Sequence, residues 1–220
     1  KPCFHQKPMA KFRRRRDIKD WKTNRSEAGQ GKLRIVGGQY RGRLIQYSGD
    51  AVTRPMKDYT REALFSLVGG WIKGKACFDL FAGTGAVGIE AISRSASMAH
   101  LIERHFPTLR IIEENVRSID PEMKVEIHGS DSFFWVRKFI QNQDQWPTEP
   151  WVVFCCPPYV LFEERVDDLY EMIDLMMNAA PEESIIVVES GEGFDTSQLP
   201  SATNWQNRQY SPAMISVYKK

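Results

Sequence analysis

Long apolar runs, paired cysteines and internal repeats are scarce or missing in this 220-residue sequence, and each shortage excludes a class of protein. No apolar run approaches the roughly 18 residues that a membrane span needs, and no apolar core of a secretory signal occurs. The four cysteines (Cys3, Cys77, Cys155 and Cys156) lack the paired spacing of a disulfide framework or a zinc site. We therefore expect a cytoplasmic protein with no membrane contact and no metal.

The N-terminal part of the chain has few acidic residues and the remainder has an excess of them, although the formal net charge of the whole is only +2. Residues 1–61 contain 17 Lys/Arg and 5 Asp/Glu, whereas residues 62–220 contain 13 and 23. Such asymmetry predicts that the N-terminal part meets a polyanion. Nucleic acid is the leading partner, because Arg13–Arg16 would release counterions from phosphates. A solvated basic tail is the alternative for residues 1–31.

Apolar periodicity divides the chain into three parts. Residues 1–31 have few apolar residues and no sustained period, which predicts a flexible basic arm. The segments "LRIV" and "LIQY", separated by the glycine-rich "GGQYRGR", predict a small β-hairpin extension over residues 32–57. A larger domain is predicted over residues 58–220, beginning with a helix capped by Asp58.

Strands and helices alternate through the larger domain, which predicts βαβ units and an α/β fold with a mostly parallel twisted sheet. The C-terminal "WQNRQY" and "AMISVYK" predict an antiparallel hairpin at the sheet edge. The predicted strands cover 76–81, 98–103, 124–128, 151–156 and 184–190, and the predicted helices that alternate with them cover 86–94, 107–118, 132–140 and 164–177.

The stretch "DLFAGTGAVGIE" (79–90) is the strongest functional motif. A strand enters Gly83-x-Gly85-x-x-Gly88 and a helix follows at once, which is typical of a nucleotide-binding turn. Glu103 ends the next strand 20 residues after Gly83, the spacing of a residue that binds ribose hydroxyls. Asp79 favours a ligand with positive charge, such as the ammonium and sulfonium of S-adenosylmethionine. A ligand-free turn and a nicotinamide cofactor are the alternatives.

Asp131 and Ser132 follow the third predicted strand. Their side chains are suited to hydrogen-bond the exocyclic amine and a ring nitrogen of adenine. The same pair is equally suited to a helix N-cap, and the two roles are compatible. After the fourth strand the sequence reads Cys155-Cys156-Pro157-Pro158-Tyr159. Two thiols and two prolines at a strand end indicate either a stiff turn or the rim of an active site.

The order of these motifs resembles that of methyltransferases that modify exocyclic amino groups. The segments "RIVGGQYRGR" (34–43), "TRP" (53–55), "REALF" (61–65) and "VES" (188–190) are similar to those of RsmD-type 16S ribosomal RNA guanine-N2 methyltransferases. This resemblance extends from about residue 33 to residue 219. It implies a Rossmann-like methyltransferase domain, S-adenosylmethionine as cofactor, and 16S ribosomal RNA or the small ribosomal subunit as partner. We also expect a monomer.

The resemblance also implies roles for individual residues. Cofactor binding is implied for Asp79, Phe81, Gly83, Gly85, Glu103, Asp131 and Ser132. The catalytic segment is implied to be Cys156, Pro157, Pro158 and Tyr159, with Tyr159 stacking on a base splayed from its neighbours. RNA backbone binding, or ordering of a cap over the site, is implied for Arg34, Arg41, Arg43, Arg54 and Arg61.

Cys156 departs from the family pattern, which has Asp or Asn before Pro-Pro-Tyr. That side chain accepts a hydrogen bond from the target amine, and a thiol is a weak acceptor. Three readings stay open: a methyltransferase that is slowed or helped by another group, an inactive RNA-binding relative, and an enzyme with a cysteine nucleophile. The last ranks lowest, because cysteine-dependent pyrimidine methyltransferases place the proline before the cysteine.

Overall fold

The computed structural model describes residues 31–47 and 55–220. Within them a seven-stranded sheet has the order β5-β4-β3-β6-β7-β9-β8, and a separate two-stranded sheet is formed by β1 and β2. The strands are β1 Gly31–Arg34, β2 Leu44–Tyr47, β3 Ala76–Asp79, β4 Met98–Glu103, β5 Val125–Gly129, β6 Trp151–Cys155, β7 Ile185–Gly191, β8 Trp205–Tyr210 and β9 Ala213–Lys219.

The first five strands of the large sheet are parallel, and β9 and β8 add an antiparallel hairpin at one edge. The chain runs from β3 outward to β4 and β5, then returns to the other side of β3 as β6. The strand order therefore reverses between β3 and β6. In parallel sheets such a reversal opens a crevice beyond the carboxyl ends of the two strands, where ligands bind.

Helices cover both faces of the sheet. Helices α1, α2 and α3 pack on one face and α4 and α6 on the other, so alternate residues of the central strands enter different cores. The helices are α1 Asp58–Val68, α2 Ala86–Ser93, α3 Phe106–Ile119, α4 Ser132–Gln141, α5 Leu161–Glu164 and α6 Val166–Ala179, with 3-10 turns at Gly69–Ile72, Gln143–Gln145, Thr196–Gln198 and Ala202–Asn204.

The β1–β2 hairpin lies against α2 and α3. Ile35 and Ile45 are buried in the core between this hairpin and the sheet. The Asn115 side chain of α3 accepts a hydrogen bond from Gln46 N at 2.6 Å and donates to Gln46 O and Thr84 O. Because Thr84 belongs to the glycine-rich turn, Asn115 connects the hairpin to that turn.

The predicted fold class is confirmed, including the antiparallel C-terminal hairpin. The predicted helix over 164–177 corresponds to α6, which begins at Val166 because Arg165, at φ −140° and ψ 38°, separates it from the short α5. Residues 1–30 of the predicted arm and Arg54 lie outside the described residues, and Gly31 begins β1. Of the helices in the described part of the chain, none has the length and hydropathy of a membrane span.

Candidate active site

The crevice at the strand reversal is built around the glycine-rich turn between β3 and α2. Gly83 and Gly85 have φ angles of 52° and 77°, a region that L-residues other than glycine rarely adopt. At Gly88 an added Cβ would lie 2.0 Å from the Leu101 side chain, so only glycine lets α2 approach β4 this closely. These constraints place the N-terminus of α2 beside the end of β3.

Asp79 ends β3 and is 1% exposed. Its Oδ2 accepts a hydrogen bond from Gly88 N at 3.0 Å, which fixes the carboxylate beside the turn. Burial raises the pKa of Asp79 to about 7 although this hydrogen bond and one from the Phe81 backbone lower it, and the charge of Glu103 raises it further. A positively charged group of a ligand would reverse this desolvation effect and favour the carboxylate.

Glu103 ends the neighbouring strand β4 and faces the same turn. Its Oε2 accepts from Gly83 N at 2.9 Å and its Oε1 from His105 N at 2.7 Å. Each oxygen retains acceptor capacity, and the residue is partly exposed. The two carboxylates at successive strand ends therefore both bond backbone N–H groups of this region, Glu103 at Gly83 and Asp79 at Gly88.

Asp131 and Ser132 begin α4 at the end of β5. Asp131 is the N-cap, and its Oδ1 accepts from Phe133 N and Phe134 N at 3.1 and 3.2 Å. The Ser132 hydroxyl is buried and donates to Leu80 O. Phe81 packs edge-on against Phe133 with ring centroids 6.0 Å apart. The capping role is thus filled, and the adenine contact of this pair stays a prediction.

Residues 156–159 follow β6 on the other side of the crevice. Cys155 is fully buried in the core beneath α4 and α6, whereas Cys156 points to the opposite face and is partly exposed. Pro157 is buried and Pro158 exposed. The Tyr159 hydroxyl donates to Glu189 Oε1 at 2.6 Å, and its ring covers Gly191.

Glu189 has a place in the site that the sequence analysis did not assign to it. Cys155 pairs with Val188, so Cys156 and Glu189 are neighbours just beyond that pair. Burial raises the pKa of the Glu189 carboxyl, although the Tyr159 hydrogen bond lowers it. The available signal was a glutamate near the end of the apolar run "SIIVVES", because buried carboxylates are uncommon without a partner.

Several acidic groups lie at the crevice. Burial raises the pKa of the Cys156 thiol well above its usual range, and the charges of Glu189 and Asp79 raise it further. Within residues 31–47 and 55–220, neither Asp79 nor Glu189 forms a salt bridge. A thiolate is therefore strongly disfavoured, which argues against the nucleophile reading. A cationic ligand suits the crevice, and this donor set fits the sulfonium and ammonium of S-adenosylmethionine.

The predicted RNA-binding arginines are not equivalent. Arg34 is exposed, 3.6 Å from Asp58, and Arg41 is also exposed. Arg43 is exposed as well, and it donates to Ser118 O at 2.8 Å near the end of α3.

Arg61, by contrast, is fully buried. Its guanidinium donates to Glu90 Oε2 at 3.0 Å, to Asp58 Oδ1 at 2.8 Å and to the carbonyls of Met56 and Arg34. These bonds use four of its five N–H groups. Arg61 therefore does not present its charge to an RNA phosphate, and its position agrees only with the predicted ordering role.

The chain is similar in sequence to several curated proteins. Ribosomal RNA small subunit methyltransferase D of Escherichia coli is 31% identical over 182 residues, which are 82% of this chain and 84% of the relative. The protein of the same name from Buchnera aphidicola subsp. Acyrthosiphon pisum is 34% identical over 128 residues, 58% of this chain and 63% of the relative.

Solved structures agree as well. The structure of yhhF from Escherichia coli, described as a candidate methyltransferase, has a TM-score of 0.66 and 28% identity, covering 86% of this chain and 98% of that one. An RNA methyltransferase from Salinibacter ruber in complex with S-adenosyl-L-homocysteine shares the fold at 13% identity and a TM-score of 0.54, covering 75% of this chain and 92% of that one. A protein of this fold thus binds S-adenosyl-L-homocysteine, the product form of the predicted cofactor.

The sequence profile of the family described as Conserved hypothetical protein 95 matches residues 33–219, the same span as the resemblance of the motifs. The chain therefore belongs to this family, the RsmD-type methyltransferases that its motifs predict.

Proposed function

We propose that this protein transfers a methyl group from S-adenosylmethionine to the exocyclic N2 of a guanine in 16S ribosomal RNA, in the cytoplasm. The observation that carries the proposal is the acidic crevice at the strand reversal. Asp79 and Glu103 flank the glycine-rich turn on one side, and the Pro-Pro-Tyr segment lies on the other. The names of the relatives support ribosomal RNA as the substrate class.

The residues of the turn would hold the cofactor. Asp79 would attract the cationic part of the ligand, Glu103 would accept hydrogen bonds from ribose hydroxyls, and Asp131 would face the adenine amine. The remaining members of this set are Phe81, Gly83, Gly85 and Ser132. When bound, S-adenosylmethionine supplies an electrophilic methyl group on a sulfonium.

The residues after β6 would hold the target base. Tyr159 is 40% exposed, and the Glu189 bond fixes its ring, so the ring offers a platform for a splayed guanine. The lone pair of a guanine amine is delocalised into the ring. Acceptors that hold its two N–H bonds let the nitrogen direct that lone pair at the methyl group. The Pro157 carbonyl would be one such acceptor.

Glu189 would supply the second acceptor, which Cys156 supplies poorly. Its carboxylate has about four acceptor positions, and the Tyr159 hydroxyl occupies one. Removing a strong acceptor from developing charge costs about 10²–10³ in rate. A glutamate on the adjacent strand therefore favours the reading in which another group assists the altered motif.

The direct test is transfer of labelled methyl groups from S-adenosylmethionine to small ribosomal subunits that lack 16S methylation, with naked 16S RNA in parallel. We expect label in one guanine, released as N2-methylguanine on digestion. Label on another atom or base would contradict the guanine-N2 assignment. Absence of transfer to both substrates, with tight S-adenosylmethionine binding, would support the second candidate, an inactive RNA-binding relative, which Cys156 favours.

A double-mutant cycle tests the role of Glu189. We expect Cys156→Asp to raise the rate, because it restores a strong acceptor, and Glu189→Gln to lower it by about 10-fold or more. In the Cys156→Asp background, Glu189→Gln should cost less. Glu192→Gln is the matched control, since Glu192 is an exposed carboxylate nearby with its own partners, Gln209 and Ser211. If Cys156→Asp lowers the rate, the thiol has a role of its own.

A further inference from the structure

Two histidines and a glutamate meet on the edge strand β5 and its neighbour β4, on the face covered by α4. His100 of β4 pairs with Glu126 of β5, and His128 lies two residues further along β5 on the same side. All three side chains therefore point toward α4. Their spacing does not reveal the cluster in the sequence, because His100 and His128 lie 28 residues apart.

The three side chains bring single ligand atoms together. His100 Nδ1 is 3.1 Å from His128 Nε2 and 3.4 Å from Glu126 Oε2, and the last two atoms are 3.8 Å apart. Zinc binds nitrogen and oxygen at about 2.0–2.2 Å, so two ligands of a tetrahedral ion lie about 3.3–3.5 Å apart. The observed distances of 3.1, 3.4 and 3.8 Å bracket this spacing, so side-chain shifts of a few tenths of an ångström would fit an ion.

Hydrogen bonding between the side chains leaves the cluster incompletely satisfied. His100 Nδ1, His128 Nε2 and Glu126 Oε2 each have a lone pair directed at the others. A single proton shared by the two imidazole rings can form only one hydrogen bond among these three atoms. His100 is 6% exposed, and its Nε2 has no hydrogen-bond partner within the described residues. A cation among the three atoms would accept all three lone pairs. With Nδ1 bound to the ion, the single His100 ring proton would be on Nε2.

Packing holds the rings in place while leaving an entry path. His100 stacks on Phe78 with centroids 4.8 Å apart, and His128 lies 4.9 Å from the Trp135 ring. The Glu126 side chain is 58% exposed, so solvent reaches the cluster on the Glu126 side. Rigid imidazoles on one side and a solvent position on the other are the features of a three-ligand site.

We propose that His100, Glu126 and His128 bind one divalent transition-metal ion of the zinc class, with water as the fourth ligand. Imidazole and carboxylate ligands suit Zn²⁺, Co²⁺ and Ni²⁺ better than Mg²⁺ or Ca²⁺. The ion would tie the edge strand β5 to β4. The site is separate from the crevice, because its ligands precede Glu103 and Asp131, which lie at the carboxyl ends of these strands. The metal proposal does not depend on methyl transfer.

The test is titration of the metal-free full-length protein with Co²⁺, followed by its visible d–d absorption. A Cys3→Ser, His5→Gln background removes the soft ligands among residues 1–30. We expect one equivalent to bind with a tetrahedral spectrum. His128→Gln should abolish this binding, and Glu126→Gln should weaken it at least 10-fold. Excess Zn²⁺ should raise the melting temperature by about 5 °C or more at 100 times its Kd.

His105→Gln is the matched control, because His105 bonds Thr108 and lies outside the cluster. It should bind Co²⁺ like the parent protein. Circular dichroism of the metal-free variants shows whether they fold. If His128→Gln does not fold, Glu126→Gln, at an exposed position, still tests the metal site. Absence of Co²⁺ binding, or equal binding by the parent protein and both cluster variants, would overturn the proposal.

Discussion

Asp79 shows how burial can prepare a side chain for a charged ligand. The carboxyl is almost fully buried, and its pKa is raised to about 7. In the unliganded protein, its protonated form is therefore the one that favours folding. This stabilising contribution is complete below about pH 4 and is lost as the pH rises through about 7. A cationic ligand favours the opposite form, so binding and protonation compete at this residue.

This competition predicts a pH dependence of cofactor binding. Between pH 6 and pH 8, the affinity for S-adenosylmethionine should rise about tenfold, because the ionised fraction of a group with a pKa near 7 rises by that factor. Calorimetry in buffers of different ionisation enthalpy should detect proton release near pH 6. Asp79→Asn should bind more weakly and lose this pH dependence. A flat affinity profile for the unsubstituted protein would contradict the account of Asp79.

Individual residues also show the limits of prediction from sequence. Asp79, Glu103 and Cys156 could be placed at one edge of the sheet because each follows a recognisable parallel strand. Arg61 could not be separated from the exposed arginines, since its burial depends on Glu90, which lies 29 residues away on another helix. Neither periodicity nor motifs predict the burial of a side chain whose partners come from distant elements.

At the scale of elements, the strands of the large sheet were predictable because their apolar runs are short and separated by helical periods. Boundaries moved by one or two residues, as in β3, which ends at Asp79 rather than at residue 81. The division between α5 and α6 was not predictable from periodicity. Arg165 leaves the helical conformation, and its guanidinium lies 4.0 Å from the Phe133 ring centroid while donating to Asp168.

The hairpin extension is joined to α2 by a close backbone contact at Gly38. Gln39 N donates to Ser93 O at 2.8 Å, and the Ser93 hydroxyl donates to Gly37 O at 2.6 Å. At Gly38, which has a φ of 75°, an added Cβ would lie 1.9 Å from Ser93 O. The extension is thus held in one position by contacts that tolerate no side chain at Gly38.

Two glycine substitutions distinguish the energetic cost of this close contact from the cost of a positive φ angle. Gly42 also has a positive φ, 86°, but an added Cβ there would meet nothing within 4 Å. Gly42→Ala should therefore cost only about 1–2 kcal/mol in the free energy of unfolding. Gly38→Ala should cost about 3 kcal/mol or more, because the Ser93 backbone must also move. Urea unfolding of both variants gives the comparison, and equal losses would show that the contact yields without cost.

At the scale of the whole molecule, charge is divided between the parts of the chain. Within residues 31–47, the arginines Arg34, Arg41 and Arg43 face solvent. Residues 62–220 carry the acidic excess and the carboxylates of the crevice. An RNA would therefore be attracted by the N-terminal part and positioned by it, whereas the crevice itself attracts a cation. In the proposed function, substrate and cofactor would therefore be attracted to different parts of one protein.

This division predicts that RNA binding depends on Arg13–Arg16. Replacing all four by Gln should weaken RNA binding and reduce the slope of log K against log salt by about 0.7–0.9 for each phosphate that is no longer neutralised. The rate at saturating RNA should not change, because none of the four belongs to the sequence motifs that form the crevice. The control replaces four exposed basic residues elsewhere by Gln, namely Lys73, Lys124, Lys138 and Arg208. If both sets reduce the slope equally, net charge alone guides the RNA, and the N-terminal arginines have no specific part in its capture.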